Sequence, residues 1–338
     1  MLILKSAAYD RFRCIASRCT DSCCQAWDVE VDPETLERYQ ALTGELGTLV
    51  RRSLYEEDGH TYLGFEDGRC PLWRADGLCR GQAELGEPFL SRVCREFPRI
   101  HHDYGDFEEF GLELSCPEAA RILLTEGPGP AVTQDVPGGE DPDYDQEAMA
   151  LLKETRMEAI RLLEDRSRPI AETLILLLLW GCQVQSLLDG ADVPDFDPEA
   201  ILATAETMGQ AGDFREIQDF FASLEILTPQ WETLLAGPAE GSLDEKCRNL
   251  CLYFVGRYWL QAVSDYDIYC RVKFTVVACL LISRLGGDFV DTAHLFSKEI
   301  ENDADNMDAI LDAAYDHPCF ADARLLGFLL EKDRISHL

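Results

Sequence analysis

The chain has 338 residues, 46% of them apolar, and carries a formal charge of −33. Its length and apolar share provide for a sizeable core and fit two domains better than one, which excludes a disordered chain. Such an acidic surface repels phosphate backbones and argues against nucleic acid as a partner. The charge is uneven: residues 1–126 hold 14 lysines and arginines against 24 acids, and the remainder 16 against 39. The acidic second half suits plain solubility, or attraction of a lysine-bearing protein. Residues 1–15 hold only the short apolar run Leu2-Ile3-Leu4, which is no signal-peptide core. The longest apolar run, Leu174 to Trp180, falls short of the about 20 residues that cross a bilayer. A soluble, cytoplasmic protein without a transmembrane segment is expected, with peripheral membrane association left open.

In chain order, Asp10-Arg-Phe-Arg13 leads into Cys14, Cys19, Cys23 and Cys24 as a loop with a single helical turn. Asp32-Pro33-Glu34 supplies an N-cap, a proline at the first helical position and an acid in the first turn, and predicts a helix to about Leu42. Thr61 to Phe65 reads as a strand. Gly68 to Trp73 with Gly77-Leu-Cys79 reads as a knuckle-like hairpin that brings Cys70 and Cys79 together. Gly86-Glu-Pro88 opens a helix through Phe97, ended by Pro98, with Cys94 in its last turn. Arg99–Asp103 and Phe107–Leu114 form a hairpin across Tyr104-Gly105. Cys116-Pro117-Glu118 then starts a helix whose dipole favours a thiolate at Cys116.

Residues 127–141, with Gly127-Pro-Gly-Pro130 and Pro137-Gly-Gly139, read as a linker and set the domain boundary. Residues 1–126 form the cysteine-rich domain and residues 142–338 an α-helical domain. Helix starts stand at Asp141-Pro142, Asp197-Pro198, Thr228-Pro229 and the capping box Ser242-Leu-Asp-Glu245. Ile170–Leu188, apolar around most of its circumference, is the central buried helix. The fold class is mostly α, a cysteine-rich α+β N-terminal domain followed by an α-helical domain.

The chemistry concentrates in the first third. Cysteines at 14, 19, 23 and 24 have the spacing C-x4-C-x3-C-C, and Cys70, Cys79, Cys94 and Cys116 follow. In a reducing compartment clustered thiols point to metal ligands or redox groups rather than disulfides. Eight thiolates suit two four-thiolate sites, or one iron–sulfur cluster plus a structural remainder, with zinc as the alternative metal. Arginines crowd these cysteines, placed to offset thiolate charge or to pair with Asp21, Glu66, Asp67, Asp76 and Glu96. Downstream, Cys182, Cys247, Cys251, Cys270, Cys279 and Cys319 read as buried apolar residues, and no histidine is supported as a ligand. There is no Gly-x-Gly-x-x-Gly after a strand, no P-loop, no nucleophile elbow, no zinc-protease helix and no C-x3-C-x2-C.

Phe12-Arg-Cys14 through Cys19-Thr-Asp-Ser-Cys23-Cys24-Gln-Ala-Trp27, Cys70-Pro-Leu, Leu78-Cys79, Leu85-Gly-Glu-Pro-Phe-Leu-Ser-Arg-Val-Cys94-Arg-Glu-Phe-Pro-Arg99 and Leu114-Ser-Cys116-Pro-Glu-Ala-Ala together resemble the flagellin lysine-N-methylase family. That family falls within a wider group of cysteine-rich zinc- or iron-chelating domains. The likeness is most specific over residues 9–124 and looser from Arg257-Tyr-Trp-Leu to Lys273-Phe274. It implies methyl transfer from S-adenosylmethionine to flagellin lysines in the cytosol, with an oxygen-sensitive [4Fe–4S] cluster. The ligands it implies fall among Cys14, Cys19, Cys23 and Cys24, with Cys70, Cys79, Cys94 and Cys116 as a second set.

Such a transfer needs a neutral amine from a lysine whose free pKa is about 10.4. Asp21 and Glu96, beside candidate ligands, are possible proton acceptors, and Trp27 could pack on a sulfonium or ammonium. Taken singly, each of the three reads more readily as a cap or packing residue. Two rival readings remain: a non-catalytic zinc- or iron-binding or sensing protein with a helical interaction module, and an oxidoreductase passing single electrons through the cluster.

Overall fold

The computed structural model describes residues 1–23, 29–65 and 68–335, with side chains through Leu330. Cys24, Trp27, Glu66 and Asp67 therefore lie outside the described residues. The protein is mostly helical, with an α+β N-terminal region.

Seven strands fall in two sheets among the described residues: β1 Leu2–Ser6, β2 Val29–Glu30, β3 Leu54–Glu57, β4 His60–Leu63, β5 Arg99–Asp103, β6 Phe107–Leu112 and β7 Ala131–Asp135. The larger sheet runs β5-β6-β1-β7, the smaller β2-β4-β3. β5 and β6 form the antiparallel hairpin foreseen across Tyr104-Gly105, and β1 adds to β6 in parallel with Leu2 opposite Phe107. β7, inside the Pro/Gly stretch, closes antiparallel on β1.

Two cores result. The small one, built from Val29, Val31, Tyr39, Val50, Leu63, Leu72 and Phe89, contains the buried Cys70, and Cys79 and Cys94 pack against it. The large one joins the bigger sheet to the helices, so Phe12, Phe107, Leu112 and Cys116 share it with residues out to Leu329. Its axis is the pairing of helix Ile170–Leu188 with helix Ile268–Arg284, which is buried at all positions but Tyr269 and Arg284. Gly181 permits that approach: a Cβ there would meet the Val272 side chain at 2.8 Å. Helix Ile170–Leu188 is long and apolar enough by composition to cross a membrane, yet Leu174 to Leu178 are at most 1% exposed and pack inside the protein.

Aspartate caps account for five of the acids of the helical half. Asp145, Asp197, Asp267, Asp288 and Asp303 each accept backbone N–H groups at a helix start, where the dipole also favours negative charge. Three local expectations shift for physical reasons. The helix expected from Asp141 begins at Gln146, because Asp145 takes the capping bonds to Glu147 N and Ala148 N at 2.9 and 3.0 Å. The capping box at Ser242–Glu245 does not form; the Glu245 carboxylate instead binds buried Arg248 at 2.6 Å, and the helix starts at Lys246. The segment 86–97 is split into a 3-10 turn Glu87–Phe89 and a short helix Arg92–Glu96, because buried Ser91 starts a new helix by capping Cys94 N.

Candidate active site

The cysteines gather where the two cores meet. Tyr39, in the small core, is desolvated and feels the thiols of Cys94, Cys79 and Cys70. Burial pushes Cys94 up to about 11 and also raises Cys79, and Cys23 adds to both. Trp73 bridges to Cys79, with Arg80 N donating to Leu72 O at 2.7 Å, so the knuckle brings Cys70 and Cys79 to one side of the lobe. Cys23, Cys70, Cys79 and Cys94 thus form one neighbourhood.

Cys14, Cys19 and Cys116 form another. Cys116 stands at the N-cap of helix Pro117–Arg121, but burial outweighs the helix amides of Ala119 and Glu118 and raises its thiol to about 12, with Cys19 and Cys14 contributing. Burial likewise raises Cys19, and Cys23 stands within electrostatic range of it, so Cys23 lies between the two groups. The grouping therefore crosses the two sequence motifs.

Among the described residues no three Cys, His, Asp or Glu side chains converge tightly enough to hold a metal ion. The donor chemistry nevertheless suits a soft metal: clustered sulfurs, those of Cys70 and Cys116 buried and those of Cys19, Cys79 and Cys94 partly sheltered, with protons that ligation would release. Several nearby arginines are engaged elsewhere: Arg74 with Asp76 at 2.6 Å, Arg80 with Glu84 at 2.7 Å, and Arg69 stacked 4.2 Å over Trp73.

Beside Cys23 opens a cavity of about 430 Å³, lined on the cysteine side by Ser22, Val93, Glu96, Phe97 and Arg99, and on the helical side by Leu227, Thr228, Lys298 and Asn302. Glu113 and Ser115, just beyond β6, complete the wall. The volume falls within the range of small-molecule sites. A π-helical turn, Ser297–Glu301, presents Lys298 to it.

Asp21, from the first cysteine loop, is tied to this helical side. It accepts from Lys298 Nζ at 2.6 Å and contacts His294 Nε2 at 3.0 Å, while His294 Nδ1 contacts Leu114 O at 3.0 Å. Despite the opposing cost of burial, His294 and Lys298 hold the Asp21 carboxyl well below the usual range, which makes it a poor proton acceptor. Glu96 is exposed at the cavity rim. Sequence reasoning passed over Glu113, Lys298, His294 and Glu301, and met Arg257 only as the start of the looser stretch of the likeness.

No family model matches the chain, and no solved structure matches it with significance. Curated relatives do. The chain is 31% identical over 131 residues to the flagellar biosynthetic protein FliU of Salmonella muenchen, covering 37% of this chain and 78% of that protein. It is 30% identical over 139 residues to the lysine-N-methylases of Salmonella typhimurium and Salmonella choleraesuis. Those alignments cover 39% of this chain and span about a third, 35%, of each methylase.

Proposed function

The chain belongs to the flagellin lysine-N-methylase family, and from that premise we propose that it is a protein-lysine N-methyltransferase that moves a methyl group from S-adenosylmethionine to lysine ε-amino groups, with flagellin as acceptor. The observation that carries the reading is the cavity at the junction of cysteine lobe and helical body. Its wall joins apolar Val93, Phe97 and Leu227 to the carboxylates of Glu96 and Glu113. Methyl transfer brings two cations together, a sulfonium and an ammonium. The carboxylates offset that repulsion, and the apolar lining favours the neutral amine by desolvation.

In this reading Cys23, Cys70, Cys79 and Cys94 hold one metal centre, a [4Fe–4S] cluster with zinc as the alternative. Cys14, Cys19 and Cys116 contribute to a second, and Cys24 stays a candidate from sequence alone. Such a cluster, when bound, supplies a rigid, oxidation-sensitive scaffold beside the cavity. The remaining work falls to the chain itself. Asp21 and Lys298 lock the cysteine loop onto the helical body, and the acidic helical surface attracts a lysine-bearing partner.

Incubation of anaerobically purified protein with S-adenosylmethionine and flagellin, followed by peptide mass spectrometry, tests the proposal. Methylated flagellin lysines are expected. No methylation of any lysine substrate, with the metal centre intact, would overturn it.

A further inference from the structure

The wall of the cavity carries a charge group that no motif marks. Glu113 leaves β6 with its backbone N–H donating to Pro98 O at 2.9 Å, and its side chain, 15% exposed, lies 3.9 Å from Arg257 Nη1. The same nitrogen donates to the Tyr253 hydroxyl at 2.6 Å and stands 3.4 Å from Glu301 Oε1. The Glu301 side chain has no exposed surface. Its Oε1 accepts from the hydroxyls of Tyr253 at 2.8 Å and Tyr258 at 2.7 Å. One guanidinium therefore serves two carboxylates, and Glu301 has the shorter approach and both hydroxyls. Glu113 is the carboxylate of the two that lines the cavity, and it is left under-compensated. Burial, opposed by Arg257 and the Ser115 hydroxyl and aided by the charge on Glu301, keeps its carboxyl above the ordinary value, so its carboxylate is the more basic. The neighbouring acids are less suited: Asp21, outside the lining, is occupied by Lys298 and His294, and Glu96, at the rim, is exposed.

Resting on the methyl-transfer reading, we infer that Glu113 is the group that receives the target lysine, binding its ammonium and taking its proton. The neutral amine then attacks the sulfonium methyl. The N–C bond forms as the S–C bond breaks, and the electron pair of that bond stays on sulfur. The methylated amine leaves as an ammonium, and Glu113 returns its proton to solvent. Arg257 and Glu301 hold the carboxylate at the wall.

The test uses the full chain with its metal centre. Glu113→Gln lowers kcat on a lysine peptide about 100-fold or more near neutral pH, while S-adenosylmethionine affinity stays within about twofold. The deficit narrows as pH approaches about 10, where solvent supplies the free amine. Glu113→Asp, which keeps a carboxylate, retains more activity than Glu113→Gln. A direct titration with n-butylammonium, followed by NMR, shows binding to the parent chain that Glu113→Gln weakens about tenfold or more. Full activity in Glu113→Gln, or a loss that does not change with pH, overturns the assignment. A parent chain that methylates no lysine refutes the proposed function instead. The butylammonium titration then decides: equal affinity in both proteins, or none in the parent, overturns Glu113 as the cation site, and weakened binding upholds it.

Discussion

Asp21→Asn tests how the cysteine loop is fastened to the helical body. In the folded protein the Asp21 side chain is 26% exposed, that of Lys298 16% and that of His294 10%, so the group is mostly shielded from water. Exposed pairs contribute at most about 1 kcal/mol, whereas hydrogen bonds to charged groups contribute about 1.5–3 kcal/mol. Asparagine keeps an acceptor oxygen and removes the charge, so the substitution should cost about 1–2 kcal/mol in local opening, after discounting for the remaining exposure. That corresponds to amide exchange about 5–30 times faster across residues 14–23. Hydrogen exchange with mass spectrometry on the intact chain reads it directly. The exposed Asp10→Asn serves as control and should leave exchange unchanged. Exchange in Asp21→Asn within about twofold of the parent would refute the idea that this contact fastens the loop.

Cys79→Ser and Cys19→Ser should each lower the metal-to-protein ratio, whereas Cys247→Ser, whose thiol is buried against Ser283 at 3.0 Å, should leave it unchanged; equal metal content in all three would remove the ligand assignment. His102 is held below its ordinary value of 6.5, first by burial and then by the charge of Arg257. The unfolded chain therefore binds its proton more readily, and His102 makes stability fall as pH drops from about 6.5 toward the lowered folded value. Acid unfolding should be shallower in His102→Gln over that window, and an identical pH profile would contradict this. Gly181→Ala should lower the denaturation midpoint by an amount equivalent to about 1–3 kcal/mol, because the added Cβ meets Val272 at 2.8 Å. Helix propensity alone predicts the opposite sign, about 1 kcal/mol of gain, so an unchanged or raised midpoint would show that the two helices are not so tightly opposed.

What could be read from sequence was local. Asp32-Pro33, Asp197-Pro198 and Thr228-Pro229 cap helices as expected, because the cap, the proline and the amides it serves lie within a single turn. The β5–β6 hairpin was visible for the same reason. The parallel addition of β1 to β6, and the antiparallel addition of β7 to β1, span more than 100 residues of separation and leave no short-range trace in Leu2–Ser6. The thiols announced themselves by type and spacing. Glu113, Arg257 and the turn that carries Lys298 and Glu301 did not, since they are ordinary charged residues on three segments that only the folded chain brings together. Helix-dipole reasoning at Cys116 was likewise incomplete: it counted the amides and left out the burial that outweighs them.

A cysteine-held centre beside a cavity that takes S-adenosylmethionine is the core of the proposed function. The most direct measurement is iron, acid-labile sulfide and zinc on anaerobically purified protein, with S-adenosylmethionine titrated into the same sample before and after air. About four iron and four sulfide per cluster, with cofactor binding that weakens as the visible absorption bleaches in air, is the predicted result. Zinc without sulfide would put the alternative metal in the centre, whereas a protein without bound metal, or a metal-loaded one that binds no S-adenosylmethionine, would contradict it.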